Sequence, residues 1–114
     1  MSELQITARL KIHDGQLDQF NMIAEACMKS VRENDSGTLQ YDWFFNGDHT
    51  ECVVRERYID SDALLEHIGN LGETMGALLG VSDMSVEVFG TPSEKLVNAT
   101  EGMDIAVYSY YQGM

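Results

Sequence analysis

The sequence predicts an α+β fold of the ferredoxin-like type, with the order β-α-β-β-α-β and both helices on one face of an antiparallel sheet. Three observations predict it. Apolar residues alternate along several short runs, they recur at helical spacing along two longer runs, and turn-forming residues separate the runs. With 114 residues, of which 44% are hydrophobic and 23% charged, the chain has the size and composition of a single domain over residues 1–114.

The first half of the chain contains three strands and one helix. Apolar and polar residues alternate strictly from Leu4 to Ile12, which predicts a half-buried strand. Apolar residues then recur every three or four positions, which predicts a helix from about Gln16 to Glu33. Gly37 follows it at a place suited to a left-handed backbone. Two further strands, residues 39–45 and 51–59, flank a hairpin turn.

The second half begins with a helix for which Asp60, Ser61 and Asp62 are N-cap candidates. Four glycines between Gly69 and Gly80 predict that this helix breaks and restarts near Glu73 to Leu79. The remaining predicted elements are a fourth strand, a short helix and a closing strand, over residues 84–89, 92–98 and 104–110.

The predicted sheet has apolar residues on both faces. In the second strand, Leu39, Tyr41, Trp43 and Phe45 share one face, and Phe44 lies on the other. The helices cover one face only, so a monomer would expose a large apolar patch. Packing of two sheets face to face would bury it, and we therefore expect a homodimer.

Charge and the absence of sorting signals limit the possible partners. Seven basic and nineteen acidic residues give a net charge of −12, which disfavours binding to nucleic acid or to a membrane surface. No signal peptide or apolar run of membrane-spanning length is present, so we expect a cytoplasmic protein. Two cysteines and three histidines without metal-site spacing predict neither a disulfide framework nor a metal site.

The segment from Val53 to His67 resembles the antibiotic biosynthesis monooxygenase family. In that family a strand ends in Glu-x-aromatic, an acidic N-cap follows, and the next helix carries a histidine after an Ala-Leu pair. The matching positions in this chain are Glu56, Tyr58, Asp62 and His67. The order of elements is similar over nearly the whole chain.

The resemblance implies a dimeric α/β barrel in which each subunit encloses an apolar cavity. Some members oxidise quinols or polyketide phenols with O₂ and without metal or flavin, whereas others degrade haem. Haem-degrading members carry an asparagine in the first strand, and Leu4–Ile12 contains none.

Glu56, His67 and Tyr58 are the candidate catalytic residues. Glu56 shares its strand face with Cys52, Val54 and Tyr58, so partial burial would raise its pKa toward the range of a general base. A structural alternative is an ion pair with Arg9, Arg55 or an arginine of a second subunit. His67 lies at the edge of the buried helix stripe and is either an acid/base in the cavity or a structural histidine bonded to a carbonyl or carboxylate.

Tyr41, Trp43, Phe45 and Met75 are the candidate substrate-binding residues. The three aromatic side chains could stack on a flat ligand, although core or dimer packing would explain them equally. Met75 could fill a gap in the core or form part of a cavity wall.

Three functions are compatible with these residues. The first is cofactor-independent monooxygenation of a quinol, phenol or other aromatic small molecule, in which a base deprotonates the substrate and Tyr58 or Trp43 holds the anion. The second is non-enzymatic binding of a small apolar ligand by the dimer. The third is binding or degradation of haem, with His67 as the axial ligand.

Overall fold

The strand predicted over Leu4–Ile12 lies at the centre of a five-stranded sheet. The computed structural model describes residues 3–114, which form five strands and four helices. In chain order these are β1 Leu4–Ile12, α1 Leu17–Asn34, β2 Thr38–Phe45, β3 Glu51–Tyr58, α2 Ser61–Leu71, α3 Glu73–Val81, β4 Ser82–Phe89, α4 Glu94–Ala99 and β5 Ile105–Tyr108.

The sheet order is β2-β3-β1-β4-β5, and every pair is antiparallel except β4 with β5. The α+β, ferredoxin-like prediction is therefore confirmed, with β5 added in parallel at one edge. The sheet is open and does not close into a barrel within one chain.

The register of the strands builds rows of side chains across the helix-covered face. One row contains Tyr41, Glu56, Ile6, Val88 and Val107 in spatial order from β2 to β5. Because side chains alternate between faces, the next row on this face lies two residues further along each strand. That row is Trp43, Val54, Ala8, Val86 and Ile105.

A β-bulge at the start of β2 corrects one prediction for this strand. Thr38 pairs with Tyr58 but Gln40 pairs with Arg57, so Leu39 is an extra residue in β2. Leu39 is 48% exposed and does not share the face of Tyr41. The extra residue also brings Thr38 onto the face that packs against the helices.

The prediction of a left-handed backbone at Gly37 is also wrong. Positive φ angles occur at other glycines but not at Gly37. Its constraint is space, because a Cβ at this position would lie 2.5 Å from Ala63 Cβ and 3.0 Å from Ile59 Cγ1. Glycine here lets the segment between α1 and β2 approach α2 closely.

The start of α2 and its junction with α3 are set by a side-chain cap and a glycine. Asp60 is the N-cap, and its carboxylate accepts a hydrogen bond from Ala63 N at 2.8 Å. Asp62, the family-like cap position, lies instead in the first turn of the helix. Gly72 has φ +51° and separates α2 from α3, as the glycine-rich segment predicts.

The sheet face opposite the helices combines charges with apolar edges. Arg9 pairs with Glu87 at 3.7 Å near the middle of this face. Phe44 is 55% exposed on β2, while Phe89 and Tyr108 stack at 5.4 Å on β4 and β5. The uncovered apolar groups thus lie toward the sheet edges, around a more polar centre than the sequence pattern predicts.

None of the four helices is long and apolar enough to cross a membrane.

Candidate functional site

A cavity of about 280 Å³ lies between the sheet and helices α2, α3 and α4. Its floor is formed by the two rows of sheet side chains, from Tyr41 to Val107 and from Trp43 to Ile105. Leu64, Ile68, Met75 and Leu96 contribute to the helical wall. The lining is predominantly aliphatic and aromatic, as is typical of small-molecule sites, and its polar members are Glu56, His67, Thr100 and Glu101.

Glu56 is the buried carboxyl group of the cavity floor. It is 8% exposed, and the Tyr58 hydroxyl donates a hydrogen bond of 2.5 Å to its Oε1. Burial raises the pKa of Glu56 to about 7; the Tyr58 hydrogen bond opposes the rise, and the negative charge of Asp35 adds to it. Glu56 therefore exchanges a proton near neutral pH.

Neither intrachain partner considered for Glu56 binds it. Arg9 lies on the opposite sheet face beside Glu87, and Arg55 is exposed on β3. Within the described residues, the Glu56 carboxyl group thus has no arginine partner.

His67 lies on α2 directly above Glu56. It is 3% exposed, its Nδ1 is 2.8 Å from Asp35 Oδ2, and its Nε2 is 3.9 Å from Glu56 Oε1. An ionised carboxylate only accepts hydrogen bonds, so Nδ1 carries the proton and Nε2 keeps its lone pair. Burial lowers the pKa of His67, and the hydrogen bond and charge of Asp35 oppose the fall.

Two tyrosine rings fix the plane of this imidazole. The centroids of Tyr41 and Tyr58 lie 5.0 Å and 5.2 Å from that of His67. Tyr41 stands nearly perpendicular to the imidazole, so it restricts rotation while remaining part of the cavity wall.

Asp35 is the site residue that the sequence does not predict. Its carboxylate accepts hydrogen bonds from Thr38 Oγ1 at 2.6 Å and Asn70 Nδ2 at 2.9 Å, in addition to His67. Burial would raise the pKa of Asp35, but the hydrogen bonds from Asn70, Thr38 and His67 outweigh it and hold this pKa below its usual value. Asp35 therefore stays ionised behind His67.

The residues around Asp35 predict a turn in solvent and not a buried site residue. Asn34-Asp35-Ser36-Gly37 is typical of a solvated turn after a helix, and His67 is 32 positions away. The contact depends on the close approach at Gly37 and on the β2 bulge that directs Thr38 inward.

The structure brings together most of the candidate site residues. Tyr41, Trp43 and Met75 line the cavity together with Glu56 and His67. Tyr58 lies behind Glu56, where its hydroxyl is already bonded and is not free to hold a ligand anion. Phe45 lies outside the cavity, because it packs edge-on against Phe20 and stacks on His49 at 4.5 Å.

Trp43 contributes its ring to the cavity wall, but its N–H group is enclosed. Among residues 3–114, its Nε1 is the one buried side-chain nitrogen or oxygen with no hydrogen-bond partner. Edge-to-face contacts with Tyr41 at 5.6 Å and Phe20 at 6.0 Å hold the ring. Trp43 would have to shift slightly before its N–H could reach a ligand.

The cysteines and the other acidic groups do not form a metal site within the described residues. Cys27 and Cys52 are buried free thiols, and burial raises the pKa of each to about 11. Both are therefore protonated and unreactive at neutral pH.

Three solved structures illustrate the similarity of this fold to known proteins. MupZ from Pseudomonas fluorescens has a TM-score of 0.86 and 23% identity over all of this chain and 94% of that chain. A putative antibiotic biosynthesis monooxygenase from Caulobacter crescentus has a TM-score of 0.71 and 20% identity, over 81% of this chain and 92% of that one. SnoaB from Streptomyces nogalater, a cofactor-independent oxygenase, has a TM-score of 0.68 and 18% identity, over 82% and 96% of the two chains.

No curated protein matches the chain significantly. At these identities the structural neighbours show the fold alone. The sequence profile of the antibiotic biosynthesis monooxygenase family, however, matches residues 4–70, which is more than half of the chain. The chain therefore belongs to the antibiotic biosynthesis monooxygenase family.

Proposed function

We propose that this protein is a cofactor-independent monooxygenase that acts on a quinol, phenol or related aromatic small molecule. The observation that carries the proposal is the buried series Asp35–His67–Glu56, which ends in an apolar cavity. Family membership and a structural neighbour that is a cofactor-independent oxygenase support the same reading.

Proton removal from the substrate is the step that these residues can perform. His67 Nε2 carries a lone pair and accepts the phenolic proton, while Asp35 stabilises the resulting imidazolium. Protonated Glu56, oriented by Tyr58, donates a hydrogen bond to the substrate oxygen that becomes negative.

The electron-rich ring then reduces O₂ itself. A hydroquinone and O₂ give a hydroxyquinone and water: one oxygen atom enters the ring, and the other leaves with the two hydrogens that the substrate loses. The apolar walls exclude bulk water and strengthen the electrostatic interactions of the anion.

The geometry also bears on the two alternative functions. Binding without catalysis would use the same cavity, and the oxygen-uptake experiment below separates it from oxygenation. Ligation of haem iron by His67 is not supported, because its Nε2 atom faces the Glu56 carboxyl group at 3.9 Å.

The proposed activity predicts rapid O₂ uptake with members of a dihydroquinone panel. Glu56→Gln and His67→Gln are each expected to lower the rate about 10²-fold or more, since each removes a general acid or base. An oxygen electrode measures the rates, and quenching of Trp43, the single tryptophan, reports ligand binding.

Glu25→Gln and His13→Gln are the matched controls, because both residues lie on the surface away from the cavity. Their rates should equal that of the unmodified protein. Uptake no faster than the buffer blank, together with saturable quenching of Trp43, would replace the oxygenase proposal with the binding alternative.

We further propose that the protein is a homodimer built through the uncovered sheet face. Light scattering at micromolar concentration should give twice the chain mass of 12.8 kDa. Phe44→Lys should shift the mass toward that of one chain, because Phe44 is a half-exposed aromatic group on this face. A mass near 12.8 kDa for the unmodified protein would contradict the dimer.

A further inference from the structure

Glu56 and His67 are two neighbouring titratable residues, and a hydrogen bond to a third residue fixes each of them. Tyr58 fixes one carboxyl oxygen of Glu56, and Asp35 fixes Nδ1 of His67. The other atoms, Glu56 Oε2 and His67 Nε2, make no hydrogen bond to any described residue. Both residues line the cavity, so a bound ligand lies next to them.

The two groups are in complementary protonation states near neutral pH. Burial raises the pKa of Glu56 to about 7, so much of it is the neutral acid. Burial lowers the pKa of His67, so it is mostly the neutral base. A donor and an acceptor of protons therefore face one ligand from neighbouring positions.

This arrangement matches a reaction that moves a proton between two nearby atoms of one molecule. We propose that the protein also catalyses keto–enol tautomerisation of apolar cyclic ketones fused to an aromatic ring, without O₂, with His67 as base and Glu56 as acid. The proposal uses the cavity assigned to the oxygenase but requires no oxidant, so it can hold where oxygenation fails.

The proton transfer balances within the site. His67 Nε2 takes a proton from the carbon next to the carbonyl, and Glu56 gives its proton to the carbonyl oxygen. The C–H electron pair becomes the C=C bond, and the carbonyl π pair forms the new O–H bond. The site then holds a Glu56 carboxylate and a His67 imidazolium, and a proton relayed from Nε2 to Oε2 through the hydroxyl group of the bound enol restores it.

The cavity selects an uncharged, flat and largely apolar ketone. Aliphatic side chains of the sheet and the rings of Tyr41 and Trp43 provide contacts for a fused ring system. The net charge of −12 and the ionised Asp35 disfavour a substrate that carries a carboxylate or phosphate. Two-ring ketones with an acidic α-carbon, such as 1-indanone, 1-tetralone and 2-tetralone, are suitable probes.

Deuterium exchange under nitrogen tests this activity directly. Each ketone is incubated with the protein in D₂O buffer, and NMR follows the loss of the α-proton signal. We expect exchange about 10²-fold faster than in buffer for a ketone that quenches Trp43 fluorescence, and a return to the buffer rate in both Glu56→Gln and His67→Gln. Glu25→Gln and His13→Gln should keep the full rate.

Two results with the unmodified protein would overturn the proposal. One is saturable binding of a ketone with exchange no faster than in buffer; the other is the absence of quenching by any of the three ketones. Exchange that persists in both cavity variants would equally remove Glu56 and His67 from the reaction. The aerobic quinol assay is independent of this one. Exchange without O₂ uptake would support the tautomerase and refute the oxygenase. O₂ uptake without exchange would support the oxygenase and refute the tautomerase.

Discussion

Glu56→Gln is expected to stabilise the protein at pH 8 by about 3 kcal/mol while it lowers turnover about 10²-fold or more. The pKa of Glu56 is raised from 4.5 to about 7 by burial, and one pKa unit corresponds to about 1.4 kcal/mol. At pH 8 the folded protein must hold a buried carboxylate, whereas glutamine keeps an acceptor oxygen for Tyr58 without a charge.

The effect should depend on pH in a defined direction. Between pH 4.5 and 7 the folded state keeps the Glu56 proton that the unfolded state has lost, so this contribution to stability is lost as the pH rises through about 7. His67 and Asp35 act in the opposite sense: their pKa values are lowered in the folded state, and their contributions are lost as the pH falls below 6.5 and 3.8 respectively. Between pH 4.5 and 6.5 the contributions of Glu56 and His67 to stability therefore change in opposite directions.

Urea unfolding followed by Trp43 fluorescence, at one protein concentration and at pH 5 to 8, measures this difference. The free energy of unfolding of Glu56→Gln should exceed that of the unmodified protein by an amount that grows across this range, because His67 and Asp35 contribute to both proteins alike. Glu25→Gln provides the matched exposed control and should follow the unmodified protein. Parallel pH profiles for Glu56→Gln and the unmodified protein would show that Glu56 is not a buried acid.

Asp35→Ala is expected to lower the free energy of unfolding by about 3 to 5 kcal/mol, because it leaves one buried and two partly buried donor groups without an acceptor. Those groups belong to Thr38, Asn70 and His67, on the start of β2 and on α2. The residue joins the end of α1 to both elements, so its loss also frees His67 to rotate. Thermal and urea unfolding measure the change.

Asp35→Asn separates the catalytic contribution of the charge from folding. Asparagine keeps the size and one acceptor oxygen but cannot stabilise an imidazolium, so activity should fall about 10- to 100-fold in a protein that still folds. Asp62→Ala is the matched control for Asp35→Ala: Asp62 is exposed in the first turn of α2, and its loss should cost less than about 1 kcal/mol. Equal destabilisation by Asp35→Ala and Asp62→Ala would mean that Asp35 does not anchor the site.

Periodicity was sufficient to predict the order of elements and the inward position of Glu56. The alternation through Cys52, Val54, Glu56 and Tyr58 places all four on one face, and all four are buried. The glycine-rich break before Glu73 and the helical stripe that leads to His67 are equally local features. Such patterns are visible in a single sequence because neighbouring residues share one backbone geometry.

Contacts between distant segments could not be predicted in the same way. A single extra residue in β2 removed Leu39 from its expected face and directed Thr38 toward Asp35. Phe45 follows the alternation of Tyr41 and Trp43, yet it lies beyond the end of the cavity, against Phe20 and His49.

The amino-acid sequence alone predicts a sheet that is covered by helices on one side. It also predicts an acidic side chain on the covered face. Folding in three dimensions was needed to turn that carboxyl group into part of a site, because His67 approaches it from α2 and is itself held by Asp35 at the end of α1. Local spacing determines which face a side chain occupies, but its pKa and its partners depend on long-range packing that excludes water.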